Sequence, residues 1–60
     1  MTDFNQRILV VDDEAPIRRY LRAALSGHGF AIYEAANGQE ALNAVIADRP
    51  DIIILDLGLP

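Results

Sequence analysis

Asp12, Asp13 and Glu14 follow directly on the apolar run Ile8-Leu9-Val10-Val11, and Asp56 follows directly on Ile52-Ile53-Ile54-Leu55. Two runs of four apolar residues that each end in carboxylate suggest one kind of chemistry, oxygen ligation of a hard divalent cation. One of the carboxylates could also act as a nucleophile or acceptor. Mg²⁺ prefers octahedral oxygen ligands, keeps several waters, and usually takes one or two carboxylates together with phosphate oxygens. A carboxylate can itself accept a phosphoryl group to give an aspartyl-phosphate, and a bridging cation offsets the charge that develops during the transfer. Without a cation the arrangement is costly. Two unit charges about 4 Å apart repel by roughly 1–4 kcal/mol at effective dielectrics from water to protein surface.

The elements that must position these residues can be read in order. Short apolar runs bounded by turn signals read as strands buried on both faces of a parallel sheet. Arg7 to Val11 is the first strand. Pro16 stands near the first turn of a helix, where its missing N–H does no harm. Ile17, Tyr20, Leu21, Ala24 and Leu25 then form an apolar stripe that runs to Ser26-Gly27, with Gly27 as C-cap. On the solvent side Glu14 and Arg18 form a favourable pair four residues apart, and Arg18 and Arg22 a like-charged one. Phe30 to Ala35 is the second strand. Asn37 caps a second helix with Glu40 in capping-box position, and its stripe is Ala41, Leu42, Val45 and Ile46. Arg49-Pro50-Asp51 ends that helix and begins the third strand, Ile52 to Leu55.

The pattern β-α-β-α-β with right-handed crossovers permits the strand order 2-1-3 or the 3-2-1 of a Rossmann half. Ligands in such sheets collect at the carboxyl ends of the strands, where the order reverses. The order 2-1-3 puts strands one and three side by side, so that Asp12, Asp13 and Asp56 converge, and the aspartates favour it. The plainer alternative is that Asp12 and Asp13 cap the first helix and Asp56 caps a turn. Asp51 provides a contrast. Five residues of strand at about 3.3 Å each put it roughly 16 Å from Asp56, at the opposite edge.

Composition narrows the function classes. The net charge is −4, with nine acidic and five basic residues, and Arg18, Arg19 and Arg22 are the only basic cluster. That is a weak basis for nucleic-acid binding and reads as a solvated helix face. There are no cysteines, so disulfides and thiolate metal sites are excluded. No signal peptide and no membrane-length apolar run is present, and a cytoplasmic protein is expected. His28 sits in an exposed turn. Gly27 and Gly29 lack dinucleotide-loop spacing and follow a helix. Tyr20 and Tyr33 read as packing residues. Hydrophobic content of 52% is too high for disorder, while sixty residues bury only about 60% of their unfolded surface. The chain reads as the N-terminal part of a longer domain.

The runs Ile8-Leu9-Val10-Val11-Asp12-Asp13-Glu14, Asn37-Gly38-Gln39-Glu40-Ala41-Leu42 and Pro50 to Pro60 together resemble the receiver domain of bacterial two-component response regulators. The resemblance spans nearly the whole chain. It implies a flavodoxin-like α/β fold, of which residues 1–60 would be the β-α-β-α-β portion. It further implies that Asp56 accepts phosphate from a sensor histidine kinase, in a self-catalysed transfer rather than as an enzyme acting on a separate substrate. Asp13 would bind Mg²⁺ directly, Asp12 directly or through water, and Asp56 and the Gly58 carbonyl would complete the protein ligands. Members of the family also use a hydroxyl residue after the fourth strand, a lysine after the fifth and an aromatic switch residue. A homodimer is expected, and contact with DNA only through an output domain outside these residues. Two other classes are compatible with the acidic trio. A metal-dependent phosphohydrolase would use Asp56 as a transient nucleophile, but such enzymes usually place a second aspartate where Gly58 stands. A pseudo-receiver would bind partners without phosphorylation, and the intact trio argues against it.

Overall fold

The computed structural model describes residues 6–56. Strand β1 (Arg7–Val11), helix α1 (Ala15–Ser26), β2 (Ala31–Ala35), α2 (Gly38–Asp48) and β3 (Ile52–Leu55) follow one another in chain order. The three strands form one parallel sheet in the order β2-β1-β3, as the aspartates favoured. Val11 is in register with both Ala35 and Leu55. The boundaries agree with the sequence reading to within a residue, β2 beginning at Ala31 rather than Phe30.

The core is centred on β1. Ile8, Leu9, Val10 and Val11 are all buried, with Leu9 and Val10 at 0% exposure. A strand flanked on both edges and covered on both faces has no solvent side, so its sequence runs apolar without alternation. On one face Leu9, Val11 and Ala35 cluster with Tyr33, Ala41 and Ala44; α1 packs on the sheet as well, against β1 and β2.

Each helix buries only part of its expected stripe. Helix α2 meets the core through Ala41 and Ala44, while Leu42, Val45 and Ile46 are exposed, Ile46 to 76%. Ala41 and Ala44, three residues apart, share the inner face of the helix, and the larger Leu42, Val45 and Ile46 fall to its outer side. On α1, Ile17, Leu21 and Leu25 are half-buried, but Tyr20 is exposed and does not act as a packing residue. Arg18, expected on the solvent side with Glu14, is half-buried instead.

The caps follow local chemistry. Asn37 Oδ1 accepts the Glu40 N–H at 2.9 Å, as a capping box requires. The return bond from Glu40 goes to the Ala36 N–H rather than to the cap itself. Gly27 ends α1 in a right-handed conformation, and the left-handed residue of that turn is Gly29, at φ 86°. The glycine with the conformational role therefore lies two residues later than the capping argument placed it. His28 is exposed in the same turn.

Among the described residues β3 pairs only with β1 and forms an edge of the sheet. Its Ile52, Ile53 and Leu55 are 43%, 46% and 59% exposed. An apolar edge with unpaired backbone groups templates pairing with another chain. The sixty-residue chain by itself is therefore expected to self-associate, as measured by size exclusion with light scattering. A monodisperse monomer that unfolds cooperatively would show that the edge is tolerated.

Candidate functional site at the carboxyl edge of the sheet

The carboxyl ends of β1 and β3 stay joined one residue beyond the strands. The Asp56 N–H donates to the Val11 carbonyl at 3.0 Å, and on the other side the Asp12 N–H donates to the Ala35 carbonyl at 3.1 Å. Asp12 and Asp56 thus stand on neighbouring strands, whose backbones run about 4.8 Å apart in such a sheet. Asp12, Asp13 and Asp56 all line one open cleft of about 280 Å³ between this edge of the sheet and the first turn of α2, where Asn37 and Gly38 form the facing wall. The N-terminus of α2 brings partial positive charge to a cleft that is otherwise acidic.

Within the cleft the aspartates differ. Asp12 is 3% exposed. Its Oδ1 accepts the Glu14 N–H at 2.8 Å, closing the turn into α1. Its Oδ2 is buried and has no hydrogen-bond partner. Leaving a buried polar atom unsatisfied costs roughly 1–3 kcal/mol, and more when it is charged. Asp13 and Asp56 are exposed. Glu14 is the N-cap residue of α1 but makes no side-chain cap bond, so the helix entrance depends on Asp12. The plain alternative for Asp12, a capping role, is therefore met by one of its oxygens and leaves the other unexplained.

The unpartnered oxygen and the all-oxygen character of the donors fit a hard cation such as Mg²⁺. Among the described residues no three acidic or histidine side chains already form a group able to hold a metal ion. The cleft gathers the aspartates without closing them into a cage. Mg²⁺ does not require such a cage, since water and phosphate oxygens ordinarily supply most of its ligands. Gly58 lies outside the described residues. Asp51 sits at the opposite edge of the sheet, as its position in the sequence required, where its carboxylate accepts the Arg7 N–H at 2.8 Å and its own N–H donates to the Arg7 carbonyl.

The sequence reading missed the group behind the site. Arg18 and Arg22 both point at Glu34 of β2, through Nε···Oε1 at 3.1 Å and Nε···Oε2 at 2.6 Å. Arg18 also donates from Nη1 to the Asp12 carbonyl at 2.7 Å, and Arg22 donates to the Ile32 carbonyl. Arg18 and Arg22 thus bridge α1 to β2, Arg18 half-buried and Arg22 still exposed, while Arg19 keeps to the solvated face that was expected of all three. The available signal was Glu34, a charge in the middle of an otherwise apolar strand.

A parallel α/β sheet of order 2-1-3 with carboxylates gathered at its switch point defines a flavodoxin-like protein with an acidic cleft at its carboxyl edge. The response regulator receiver domain model matches residues 8–60, and the chain belongs to that family. It is 51% identical over 53 residues to the KDP operon transcriptional regulatory protein KdpE of Escherichia coli, covering 88% of this chain and 24% of KdpE. Over 54 residues it is 46% identical to response regulator MprA of Mycolicibacterium vanbaalenii, covering 90% of this chain and 23% of that protein. Sporulation initiation phosphotransferase F of Bacillus subtilis is 41% identical over 56 residues, with 93% of this chain and 45% of that protein covered. The chain thus spans less than half the length of each of these relatives. No helix among the described residues is long and apolar enough to cross a membrane.

Asp12→Asn retains the acceptor for the Glu14 N–H and removes a buried charge beside Asp13 and Asp56. In the absence of divalent cations it is expected to raise unfolding stability by about 1 kcal/mol, as read by denaturant titration in EDTA. A loss of stability would show that the Asp12 charge is already compensated within the protein.

Proposed function

We propose that this chain is the phosphoryl-accepting part of a two-component response regulator and that Asp56 is the acceptor. The observation that carries this reading is the placement of Asp56 beside buried Asp12, whose Oδ2 has no protein partner. A carboxylate oxygen of Asp56 bonds to the phosphorus of a phosphohistidine on a sensor kinase. The phosphorus–nitrogen bond breaks, and its electron pair returns to the imidazole, which is then free to pick up a proton. Asp12, Asp13 and Asp56 would hold Mg²⁺, with the Gly58 carbonyl as a further ligand. When bound, the ion neutralises charge on the transferring group. The protein's own part is positional. Backbone pairing with β1 fixes Asp56, the turn bond from Glu14 fixes Asp12, and the α2 N-terminus faces the cleft that would receive the phosphoryl group.

Residues 1–60 would be the N-terminal part of the receiver, in a cytoplasmic, homodimeric regulator whose output domain contacts DNA. The name of KdpE as a transcriptional regulatory protein supports control of transcription. The phosphohydrolase reading is weaker because Gly58 occupies the place of the second aspartate such enzymes usually carry.

Incubation of the full-length protein with acetyl phosphate and Mg²⁺ is expected to give one phosphoryl adduct by mass spectrometry, absent in Asp56→Asn. Undiminished labelling of that variant would reassign the acceptor. Mg²⁺ at ten times its Kd is also expected to stabilise the wild type by about 1.4 kcal/mol, read as a raised thermal midpoint, and to leave the midpoint of Asp13→Ala unmoved. Equal responses in the two proteins would remove Asp13 from the ligand set.

A further inference from the structure

The acidic loop is held from behind by a side chain that does not belong to the cleft. Asp12 has four polar handles, and three of them are fixed. Its N–H is held by β2 through the Ala35 carbonyl, its Oδ1 by the Glu14 N–H, and its carbonyl by Arg18 Nη1 at 2.7 Å. The fourth, Oδ2, is the buried atom without a partner. Arg18 is itself held, since its Nε donates to Glu34 Oε1, and its side chain is only 17% exposed. Glu34 is in turn gripped on its other oxygen by Arg22. A chain of charge-assisted bonds therefore runs from β2 through Arg18 to the peptide of Asp12. The planar guanidinium, with donors in a fixed fork, reaches a carboxylate on one element and a carbonyl on another at the same time.

We infer that Arg18, anchored by Glu34, is a positioning residue that sets the Asp12 peptide and thereby keeps the Asp12 carboxylate presented for a divalent cation. This inference rests on the cation reading proposed above. Such partners orient a ligating carboxylate without touching the metal, and their loss commonly weakens metal affinity on the order of ten- to a hundredfold. Arg22 is the internal control. It shares Glu34 and lies on the same helix face, but its second bond goes to Ile32 and not to the acidic loop. If the arginines only tied α1 to β2, replacing either would have the same consequence.

The test compares wild type, Arg18→Met, Arg18→Lys and Arg22→Met in the full-length protein, with two readouts. One is the Kd for Mg²⁺ by calorimetry, and the other is amide hydrogen exchange at Glu14, whose N–H is bonded to Asp12 Oδ1. Arg18→Met is expected to weaken Mg²⁺ on the order of tenfold and to speed Glu14 exchange about tenfold while Ile53 exchange is unchanged. Arg18→Lys, with one compact ammonium that cannot bridge both acceptors in the same way, should fall between Arg18→Met and wild type. Arg22→Met should match wild type in both readouts. Wild-type Mg²⁺ affinity and Glu14 exchange in Arg18→Met, or equal changes in the two Met variants, would overturn the positioning role. Should Arg18→Met fail to fold, Arg18→Lys decides by the same measurements. If the wild type binds no Mg²⁺, the cation reading fails and this inference with it, while faster Glu14 exchange in Arg18→Met alone would still show that Arg18 orders the loop.

Discussion

The parallel pairing of β1 with a strand on each edge is the constraint on which the rest of the structure depends. Leu9 and Val10 are completely buried because β2 and β3 flank them and helices cover the sheet. The same pairing determines where the strands end. With Val11 opposite Leu55, the next residue on each strand is an aspartate, and the Asp56 N–H closes onto the Val11 carbonyl. Because side chains alternate along a strand, slipping one strand by a single residue would exchange the side chains that face each helix layer and would also shift the two carboxylates relative to each other. Core packing and site geometry are thus specified by one register.

That arrangement places like charges together, and the protein offsets the repulsion only in part. Asp12 uses one oxygen to start α1, which ties the loop to the helix, and the other oxygen is left buried without a partner. The α2 N-terminus lends partial positive charge across the cleft, though Glu40 stands in the same first turn. A site left short of positive charge in the protein itself is suited to a ligand that brings that charge, and this electrostatic shortfall connects stability with function. The receiver family, shown by the match over residues 8–60, is one in which such a site has a natural use.

Much of the fold was legible in the chain because the local signals agree with one another. Four-residue apolar runs marked β1 and β3, Asn37 and Glu40 marked the start of α2, and Pro16 marked the start of α1. The helix faces were less legible. A stripe drawn through the largest apolar residues of α2 selected Leu42, Val45 and Ile46, whereas contact with the sheet is made by Ala41 and Ala44. Close approach of a helix to a sheet favours small side chains, and periodicity alone does not say which of two adjacent stripes is the inner one. Arg18 and Arg22 were misread for a related reason, while Arg19 is exposed as expected. Charge on a helix is usually solvated, and nothing within α1 indicates that Glu34, sixteen residues from Arg18, stands across from it.

By itself the sequence determined the five elements, their order and the aspartate that follows β1 and β3, because each is written in neighbouring residues through periodicity, caps and turn chemistry. It also carried the family resemblance, since the matching motifs are contiguous runs. Periodicity and caps left both strand orders open, the aspartates favoured 2-1-3, and the tertiary structure shows that order. It alone showed that one Asp12 oxygen is satisfied and the other is not, and that Arg18 reaches from Glu34 to the Asp12 carbonyl. These are relations between residues far apart in the chain, and they depend on how the crossover connections bring the strands and helices side by side.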